Sequence, residues 1–290
     1  MKKQVLIWGS GAIYNQHINL LRFMEQAQEF DIVGVVANLY TGVSTFDGWP
    51  MIYKSMVSAT KYDCIIIMSD KFFEEIVAEA MAFGANREQI LHYKILDIPY
   101  LEFNKYIALK SKQISIITNN CWGGMAYASL GMECLSPFKN LFLEDEDYIK
   151  LLLNLHDYLE MPLEFARYEI EKHSKERYPV MQLGDIFVHC NHDTNPEDAL
   201  EKWNRRLKKI NYDNLFVEMY TENKDIAERF VSMGQYKNKI CFVPFETHCD
   251  NMLQLKLYPG QREFFEIVLN NSTFSLIDLL LGDIKMRIET

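Results

Sequence analysis

Short apolar runs alternate with helical stretches through about the first hundred of the chain's 290 residues. The apolar runs have the length of buried strands, and they are Gln4–Trp8, Asp31–Ala37, Tyr62–Met68 and Gln89–Tyr93. Between them, apolar residues recur at a helical spacing over Ala12–Gln26 and Lys71–Phe83. Strands that alternate with helices form parallel βαβ units, so the sequence predicts a small Rossmann-like domain with a parallel sheet.

A second series of strands and helices begins after an irregular, charged stretch around Pro99. Its strand-like runs are Ile114–Thr118, Asn140–Leu143, Leu215–Tyr220 and Ile240–Phe245. Met181–His189 is either a strand pair or a bent strand, with a turn at Gly184-Asp185. Its helical segments are approximately 146–159, 195–210, 224–233, 261–269 and 274–285. We therefore place a domain boundary near residue 105, with a Rossmann-like domain over 1–105 and a second α/β domain over 106–290. In that second domain we expect a mixed sheet.

Charge and hydropathy exclude several classes of protein. The 40 acidic and 30 basic side chains give a net charge of −10, whereas proteins that track phosphate backbones need a basic surface. No apolar run approaches the ~20 residues of a membrane span, and the start of the chain lacks the features of a signal peptide. The six cysteines are scattered without a C-x-x-C pair, which is typical of free thiols in a reducing compartment. We expect a cytoplasmic, globular protein that binds no nucleic acid.

A glycine turn joins the first predicted strand to the first predicted helix. Gly9, Ser10 and Gly11 stand where glycines let a backbone approach a phosphate, which the helix N-terminus then stabilises. Tyr14 occupies the position of a third glycine, and Asn38 follows the second strand where a ribose-binding acid is expected. These departures disfavour hydride chemistry on NAD. They leave two interpretations, a tight turn alone or a site for a nucleotide-like group, and the sequence identifies no cofactor.

This first domain resembles the Rossmann-like N-terminal domains of bacterial sugar-modifying enzymes. The resemblance is carried by Gly9-Ser10-Gly11 and by a later segment, Gly48-Trp49-Pro50-Met51-Ile52. That later segment is similar to a glycine–x–proline–hydrophobic sequence that those domains place after their second strand. The resemblance implies that Gly9, Ser10 and Gly11 are candidate binding residues for a nucleotide-like group, or the relic of such a site.

A polar, turn-rich segment follows the first predicted strand of the second domain. It reads Asn119-Asn120-Cys121-Trp122-Gly123-Gly124. Ligands of α/β folds bind at the carboxyl ends of strands, so Asn119 and Asn120 are candidate substrate-binding residues. Free backbone N–H groups of Gly123 and Gly124 can hold an oxyanion, and Cys121 becomes a nucleophile if a nearby base activates its thiol. The alternative is that Cys121 is a small buried residue and that the glycines only shape a turn.

Two histidines lie at the end of a later strand-like run. His189 is a candidate general base, because imidazole titrates near physiological pH and carboxylates such as Asp193 are close in sequence. In one continuous strand His189 and His192 would face opposite sides, and a structural role is the alternative for both, favoured for His192. His248 and Cys249 are further metal-ligand types, but no spacing matches a zinc signature, so we predict no metal.

A helix that begins at Asn195-Pro196 carries a dense group of positive charges. Its apolar face is formed by Leu200, Trp203, Leu207 and Ile210. Arg205 and Arg206 fall outside that face, and an arginine can bind a phosphate or carboxylate through two hydrogen bonds. The pair is therefore a candidate anion clamp. The alternative is a solvated face whose cations are favourable near a helix C-terminus.

These segments together resemble a domain of unassigned activity that occurs in bacterial capsule and exopolysaccharide biosynthesis clusters. The resemblance covers about residues 111–245. Besides the three segments above, it is carried by Leu130-Gly131, Ser136-Pro137, Asn140-Leu141-Phe142 and Asp213-Asn214-Leu215-Phe216. Cys190 stands where the family has an aromatic residue. The resemblance implies a link to surface-polysaccharide assembly but supplies no reaction.

We expect a transferase that modifies or transfers a sugar or nucleotide-sugar in surface-polysaccharide biosynthesis. In this hypothesis His189 is the general base, Cys121 is a nucleophile, and Arg205 and Arg206 bind a phosphate or carboxylate. A non-catalytic nucleotide- or sugar-binding component of a biosynthetic complex is the first alternative, and an NAD-dependent oxidoreductase is the second. The expected partner is a small molecule, and formation of a homo-oligomer is left open.

Overall fold

The computed structural model describes residues 2–37, 44–99, 101–171, 174–255 and 275–283. The chain divides into two compact units, Met1–Ala108 and Leu109–Thr290, and the division lies close to residue 105. Each unit combines parallel strands with helices, which confirms the predicted α/β class. Within the described residues, no helix is both long and apolar enough to cross a membrane.

The first unit is built on a six-stranded sheet with the order β3-β4-β2-β1-β5-β6. Its strands are β1 Lys3–Trp8, β2 Phe30–Ala37, β3 Thr45–Phe46, β4 Trp49–Tyr53, β5 Cys64–Ile67 and β6 Ile90–His92. Its helices are α1 Ala12–Gln26, α2 Phe73–Ala82 and α3 Phe103–Ser111, the last of which crosses the division between units. All pairings are parallel except that of β3 with β4. The central strands β1 and β5 are buried and apolar, as expected for a parallel sheet covered on both faces.

The strand order of this sheet reverses between β1 and β5, since β2 lies on one side of β1 and β5 on the other. Ligands of open α/β sheets bind at the carboxyl ends of strands at such a reversal. Gly9 follows β1 with a φ of +109°, a conformation that glycine adopts readily and other residues rarely. At Gly11 no described atom lies within 4 Å of the position that a Cβ would take. The predicted glycine turn therefore stands at the expected ligand-binding edge of the first unit.

Tyr14, at the third-glycine position, is a core residue. Its side chain is fully buried, and its ring meets that of Phe46 edge-on at 5.4 Å between centroids. A bulky side chain is accommodated here because α1 packs it toward the edge hairpin formed by β3 and β4. Asn38, the other departure from a dinucleotide-binding pattern, lies outside the described residues.

The second unit contains two sheets. Four parallel strands have the order β13-β12-β11-β7, and they are β7 Ser115–Thr118, β11 Leu215–Tyr220, β12 Lys239–Val243 and β13 Met252–Gln254. Three antiparallel strands have the order β10-β9-β8, and they are β8 Leu163–Ile170, β9 Arg177–Leu183 and β10 Ile186–His189. Parallel and antiparallel strands are thus both present in this unit, each kind in its own sheet. Val188 of β10 and Val217 of β11 belong to one apolar core, which also contains Trp203.

Six helices of the second unit lie in the described residues. They are α4 Trp122–Ser129, α5 Asp145–Leu153, α6 Leu155–Glu160, α7 Pro196–Leu207, α8 Lys224–Val231 and α9 Leu276–Leu281. The predicted helix cap is present, since the Asn195 side chain accepts a hydrogen bond from the Asp198 amide at 2.8 Å. The predicted helix 261–269 lies outside the described residues.

Two local predictions in the second unit are wrong. The segment 140–143 is not a strand, because only Phe142 pairs there, in a single bridge with His189. The single helix expected over 146–159 is interrupted at Asn154, whose φ of −137° is not helical. The interruption separates α5 from α6.

Helix α4 approaches strand β7 so closely that only glycine fits at the contact. A Cβ on Gly123 would lie 2.7 Å from Cγ2 of Thr118 and 3.1 Å from Cγ2 of Ile116. A Cβ on Gly124 would meet the Asn140 side chain. Both glycines are buried, so their first role is steric: they let the helix begin directly on the strand.

Replacing Gly123 with alanine should destabilise the second unit. The added methyl group forces β7 and α4 apart, and overpacking of this kind costs about 1–3 kcal/mol. Urea unfolding followed by circular dichroism measures the loss. Gly234→Ala is the matched control, since Gly234 is exposed and no described atom lies within 4 Å of its Cβ position. An equal stability for the two variants would contradict the close-packing interpretation.

Candidate functional site

The carboxyl edge of the parallel sheet in the second unit is built on side chains that follow β7. Asn119 is buried, and its Nδ2 donates to the carbonyl oxygen of Tyr220 at 3.1 Å. Its Oδ1 accepts from the Tyr220 amide at 3.2 Å. The Asn119 side chain therefore continues the pairing of β7 with β11 beyond the last backbone hydrogen bond.

Glu218 places a carboxyl group inside that sheet, at the centre of β11. The side chain is fully buried, and it accepts hydrogen bonds from Oγ1 of Thr118 and from Nδ2 of Asn120, the latter at 3.1 and 3.2 Å to its two oxygens. Burial raises the pKa of Glu218 to about 8, against a partial lowering by these two hydrogen bonds. The group is therefore protonated at neutral pH.

Asn120 connects Glu218 to the start of α4. Its Nδ2 also donates to Oδ1 of Asn119 at 2.8 Å, and its Oδ1 accepts from the Trp122 amide at 2.8 Å. The predicted substrate-binding amides of Asn119 and Asn120 are thus used inside the protein. Their role in the structure is to set where the helix begins, and with it the position of Cys121.

Cys121 stands at the N-terminus of α4 and contacts a histidine. Its Sγ lies 3.3 Å from Nε2 of His192. The cysteine is half-buried and the histidine is exposed, so a ligand can reach the pair from solvent. A thiol within hydrogen-bond reach of an imidazole is the arrangement that activates a sulfur nucleophile.

The loop after β10 presents His192. β10 ends at His189, so the opposite orientations expected in a continuous strand do not apply. The amide of Asp193 donates to the carbonyl oxygen of Cys190 at 2.9 Å, which closes a turn around His192. From α7, Lys202 forms an ion pair with the Asp193 carboxylate. The turn and the ion pair together hold the histidine over the thiol.

The N-terminus of α4 provides a favourable environment for negative charge beside Cys121. The first turn of the helix contains no acidic residue, and the Cys121 side chain does not cap it. Among the described residues, no acceptor is bonded to the amides of Gly123 and Gly124. Unbonded amides and the helix dipole stabilise a thiolate or an oxyanion at this position.

His189, the predicted general base, is the last residue of β10 in the antiparallel sheet. It is 5% exposed, and its ring stacks on that of Phe142 with centroids 4.2 Å apart. Its Nδ1 lies 3.3 Å from the Tyr178 hydroxyl and 3.5 Å from a carboxylate oxygen of Glu169. Burial lowers its pKa, partly offset by Glu169. His192 rather than His189 is the histidine that contacts Cys121.

The predicted arginine pair separates in the structure. Arg205 is exposed and pairs with Glu201 one turn earlier on the same helix, at 3.2 Å. Arg206 is half-buried, and its guanidinium donates to the carbonyl oxygen of Lys139 at 3.2 Å. Lys139 borders Gly124 in the first turn of α4. Arg206 is thus the member of the pair that lies beside the helix of Cys121.

Sequence reasoning missed Glu218 and ranked His192 below His189. A signal for Glu218 was present, since a charged residue interrupts the apolar strand sequence of β11, and such residues are rarely buried without a partner. No comparable signal existed for His192, because its position depends on where β10 ends. No group of three or more His, Cys, Asp or Glu in the described residues is arranged to hold a metal ion.

Comparisons with known proteins divide the chain in two. A family model described as "Domain of unknown function (DUF1919)" matches residues 92–275, and one described as "C2185-like, N-terminal" matches residues 1–91. A relative from Haemophilus influenzae, named "Uncharacterized protein", is 32% identical over 137 residues. The match covers 46% of this chain and 63% of the relative, so less than two thirds of the relative's length is spanned. Cys121, His192 and Glu218 all lie within the first family match.

The buried carboxyl group predicts a pH dependence of stability. An unfolded Glu218 titrates near 4.5, whereas the folded group keeps its proton until about pH 8. Folding therefore takes up a proton between these values, and the free energy of unfolding falls as pH rises, by at most about 1.4 kcal/mol per pH unit. Glu218→Gln removes this dependence, so its stability relative to the native protein should be higher at about pH 8 than at about pH 5.

Thermal unfolding at the two pH values checks the expectation. The matched control is Glu164→Gln, because Glu164 is an exposed glutamate on β8. Its difference from the native protein should not change with pH. If the difference in unfolding temperature between Glu218→Gln and the native protein is also the same at both pH values, the Glu218 carboxyl group is not protonated in the folded state.

Proposed function

The chain belongs to the DUF1919 family, and on that premise we propose that its second domain is a transferase of bacterial surface-polysaccharide assembly. It acts on a sugar or a nucleotide-sugar. The observation that carries the proposal is the 3.3 Å contact between Sγ of Cys121 and Nε2 of His192. The resemblance of the sequence to a domain of capsule and exopolysaccharide clusters supports the process in which the reaction takes place.

Each residue of the site has a role in this proposal. Cys121 is the nucleophile, and His192 accepts its proton as general base. The backbone N–H groups at the N-terminus of α4 stabilise the negative charge that develops, and Arg206 binds an anionic group of the substrate. Glu218 and Asn120 are positioning residues, since they act by holding the start of α4.

The glycine turn of the first domain provides a separate ligand site in this proposal. Gly9, Ser10 and Gly11 follow β1 at the point where the strand order reverses, and α1 begins directly after them. Backbone amides at such a helix start bind phosphate groups. We infer that this turn binds a nucleotide-like group.

Complementation of a bacterial strain that lacks the gene for this chain tests the transferase. Cys121→Ser and His192→Gln should fail to restore the composition of the surface polysaccharide in a deletion strain, with at least a tenfold loss of product, as expected when a general base is removed. His156→Gln is the control, because His156 is an exposed histidine on α6. Full restoration by Cys121→Ser, with all variants present at equal amounts, would overturn the nucleophilic role.

Ligand binding tests the role of Arg206. UDP- and GDP-linked sugars should raise the unfolding temperature of the native protein, since a ligand that binds only the folded state stabilises it. Arg206→Gln should weaken that binding by about tenfold or more, the effect of losing a charge-assisted hydrogen bond. Arg205→Gln, from the neighbouring exposed residue, should bind like the native protein. If Arg205→Gln binds the nucleotide-sugars more weakly than Arg206→Gln does, the role assigned to Arg206 is wrong.

A further inference from the structure

We propose that the group transferred is an acyl group, which Cys121 carries as a thioester between an activated acyl donor and a sugar hydroxyl. This inference rests on the proposed function and adds the chemical class of the donor, an acyl ester or thioester. Three observations support it. The Cys121 thiol contacts His192, the amides of Gly123 and Gly124 at the start of α4 have no acceptor among the described residues, and the nearby carboxyl groups are hydrogen-bonded within the protein.

The arrangement of the carboxyl groups near Cys121, at the carboxyl edge of the parallel sheet, favours transfer of an acyl group over transfer of a glycosyl group. Enzymes that cleave glycosidic bonds commonly use two carboxyl groups on either side of the bond. Glu218 is fully buried and bonded to Thr118 and Asn120, so it cannot flank a substrate. Asp145 accepts hydrogen bonds from Oγ1 of Thr221 and from Nδ2 of Asn119 at 3.5 Å. The third carboxyl group near the thiol, Asp193, is paired with Lys202. Glu218 is thus closed to a substrate and the other two already have partners in the protein, whereas the thiol of Cys121 and the imidazole of His192 contact each other where solvent reaches them.

The exposure of Cys121 distinguishes it from the two buried cysteines of the second unit. Cys190 and Cys241 are buried, and burial raises the pKa of Cys190 to about 12 and that of Cys241 further. Those thiols remain protonated and closed to a donor. Cys121 is half-buried and in contact with a base, while Cys249 is exposed. Cys249 therefore supplies an internal reference for a solvent-accessible thiol.

The proposed reaction has two balanced steps. In the first, neutral His192 takes the thiol proton through Nε2 while sulfur attacks the acyl carbonyl carbon. A C–S bond forms, the bond from the acyl carbon to the leaving oxygen or sulfur breaks, and the leaving group takes the proton from the imidazolium. In the second, a sugar hydroxyl gives its proton to His192 and attacks the thioester. The C–O bond of the new ester forms, the C–S bond breaks, and the thiol recovers its proton.

The amides of Gly123 and Gly124 act on the intermediates of both steps. Each step passes through a tetrahedral species whose carbonyl oxygen bears negative charge. An N–H group that already has a protein acceptor cannot stabilise that oxygen, whereas these two have none among the described residues. The close packing of α4 on β7 fixes their direction before the substrate arrives.

Acylation of the purified full-length protein by p-nitrophenyl acetate tests the inference. We expect an acetyl group on Cys121 by peptide mass mapping, formed at least about tenfold faster than on Cys249 and sensitive to neutral hydroxylamine, as thioesters are. His192→Gln should slow acetylation of Cys121 by about tenfold or more. Cys249→Ser should leave it unchanged, and circular dichroism confirms that each variant is folded. Equal acetylation of Cys121 and Cys249, or an unchanged rate in His192→Gln, would overturn the inference.

Iodoacetamide separates this inference from the proposed function. If iodoacetamide alkylates Cys121 faster than Cys249 in a His192-dependent way, but no acetyl group forms, the acyl class is wrong and the nucleophile remains. If Cys121 reacts no faster than Cys249 with either reagent, both the acyl class and the nucleophilic transferase are overturned.

Discussion

The hydrogen bonds of the buried Glu218 carboxyl group are the interaction on which the site of the second domain depends. A carboxyl group inside an apolar sheet costs free energy unless it is hydrogen-bonded, and Thr118 and Asn120 supply the bonds. Asn120 is held in this way in the one orientation that also accepts the Trp122 amide. The hydrogen bond of Asn120 to Glu218 on the neighbouring strand β11 therefore determines where α4 begins and, with it, where Cys121 lies.

The fold could be predicted from the sequence where strands are buried on both faces. β5 is apolar and buried throughout, and β1 and β7 each have a buried apolar centre, so each was recognisable for that reason. β8 was not, because most of its residues are exposed and Glu164, Arg167 and Glu169 interrupt it. Its pairing with β9 provides the order that its own sequence does not signal. The interruption between α5 and α6 was equally hidden, since no proline or glycine marks it.

The site could be predicted in part. A polar turn after a buried strand indicated the importance of the segment around Cys121, and the structure places that segment at the carboxyl edge of the sheet. The choice between His189 and His192 could not be made from sequence, because the bridge to Phe142 determines where β10 ends. The choice between Arg205 and Arg206 was open for a similar reason. Adjacent helical residues point about 100° apart, and only the packing of α7 decides which one meets Lys139.

The contact between Cys121 and His192 also has a consequence for oxidation. A thiol that solvent can reach and that contacts a base is a target of peroxide, which converts it to a sulfenic acid. None of the described cysteines forms a disulfide. Cys190 is buried, and Sγ of the half-buried Cys134 donates to the carbonyl oxygen of Ser136 at 3.3 Å. Rescue of oxidised Cys121 would therefore fall to thiols supplied by the cell. The same pair that makes the sulfur a nucleophile ties the working lifetime of the protein to the redox state of its surroundings.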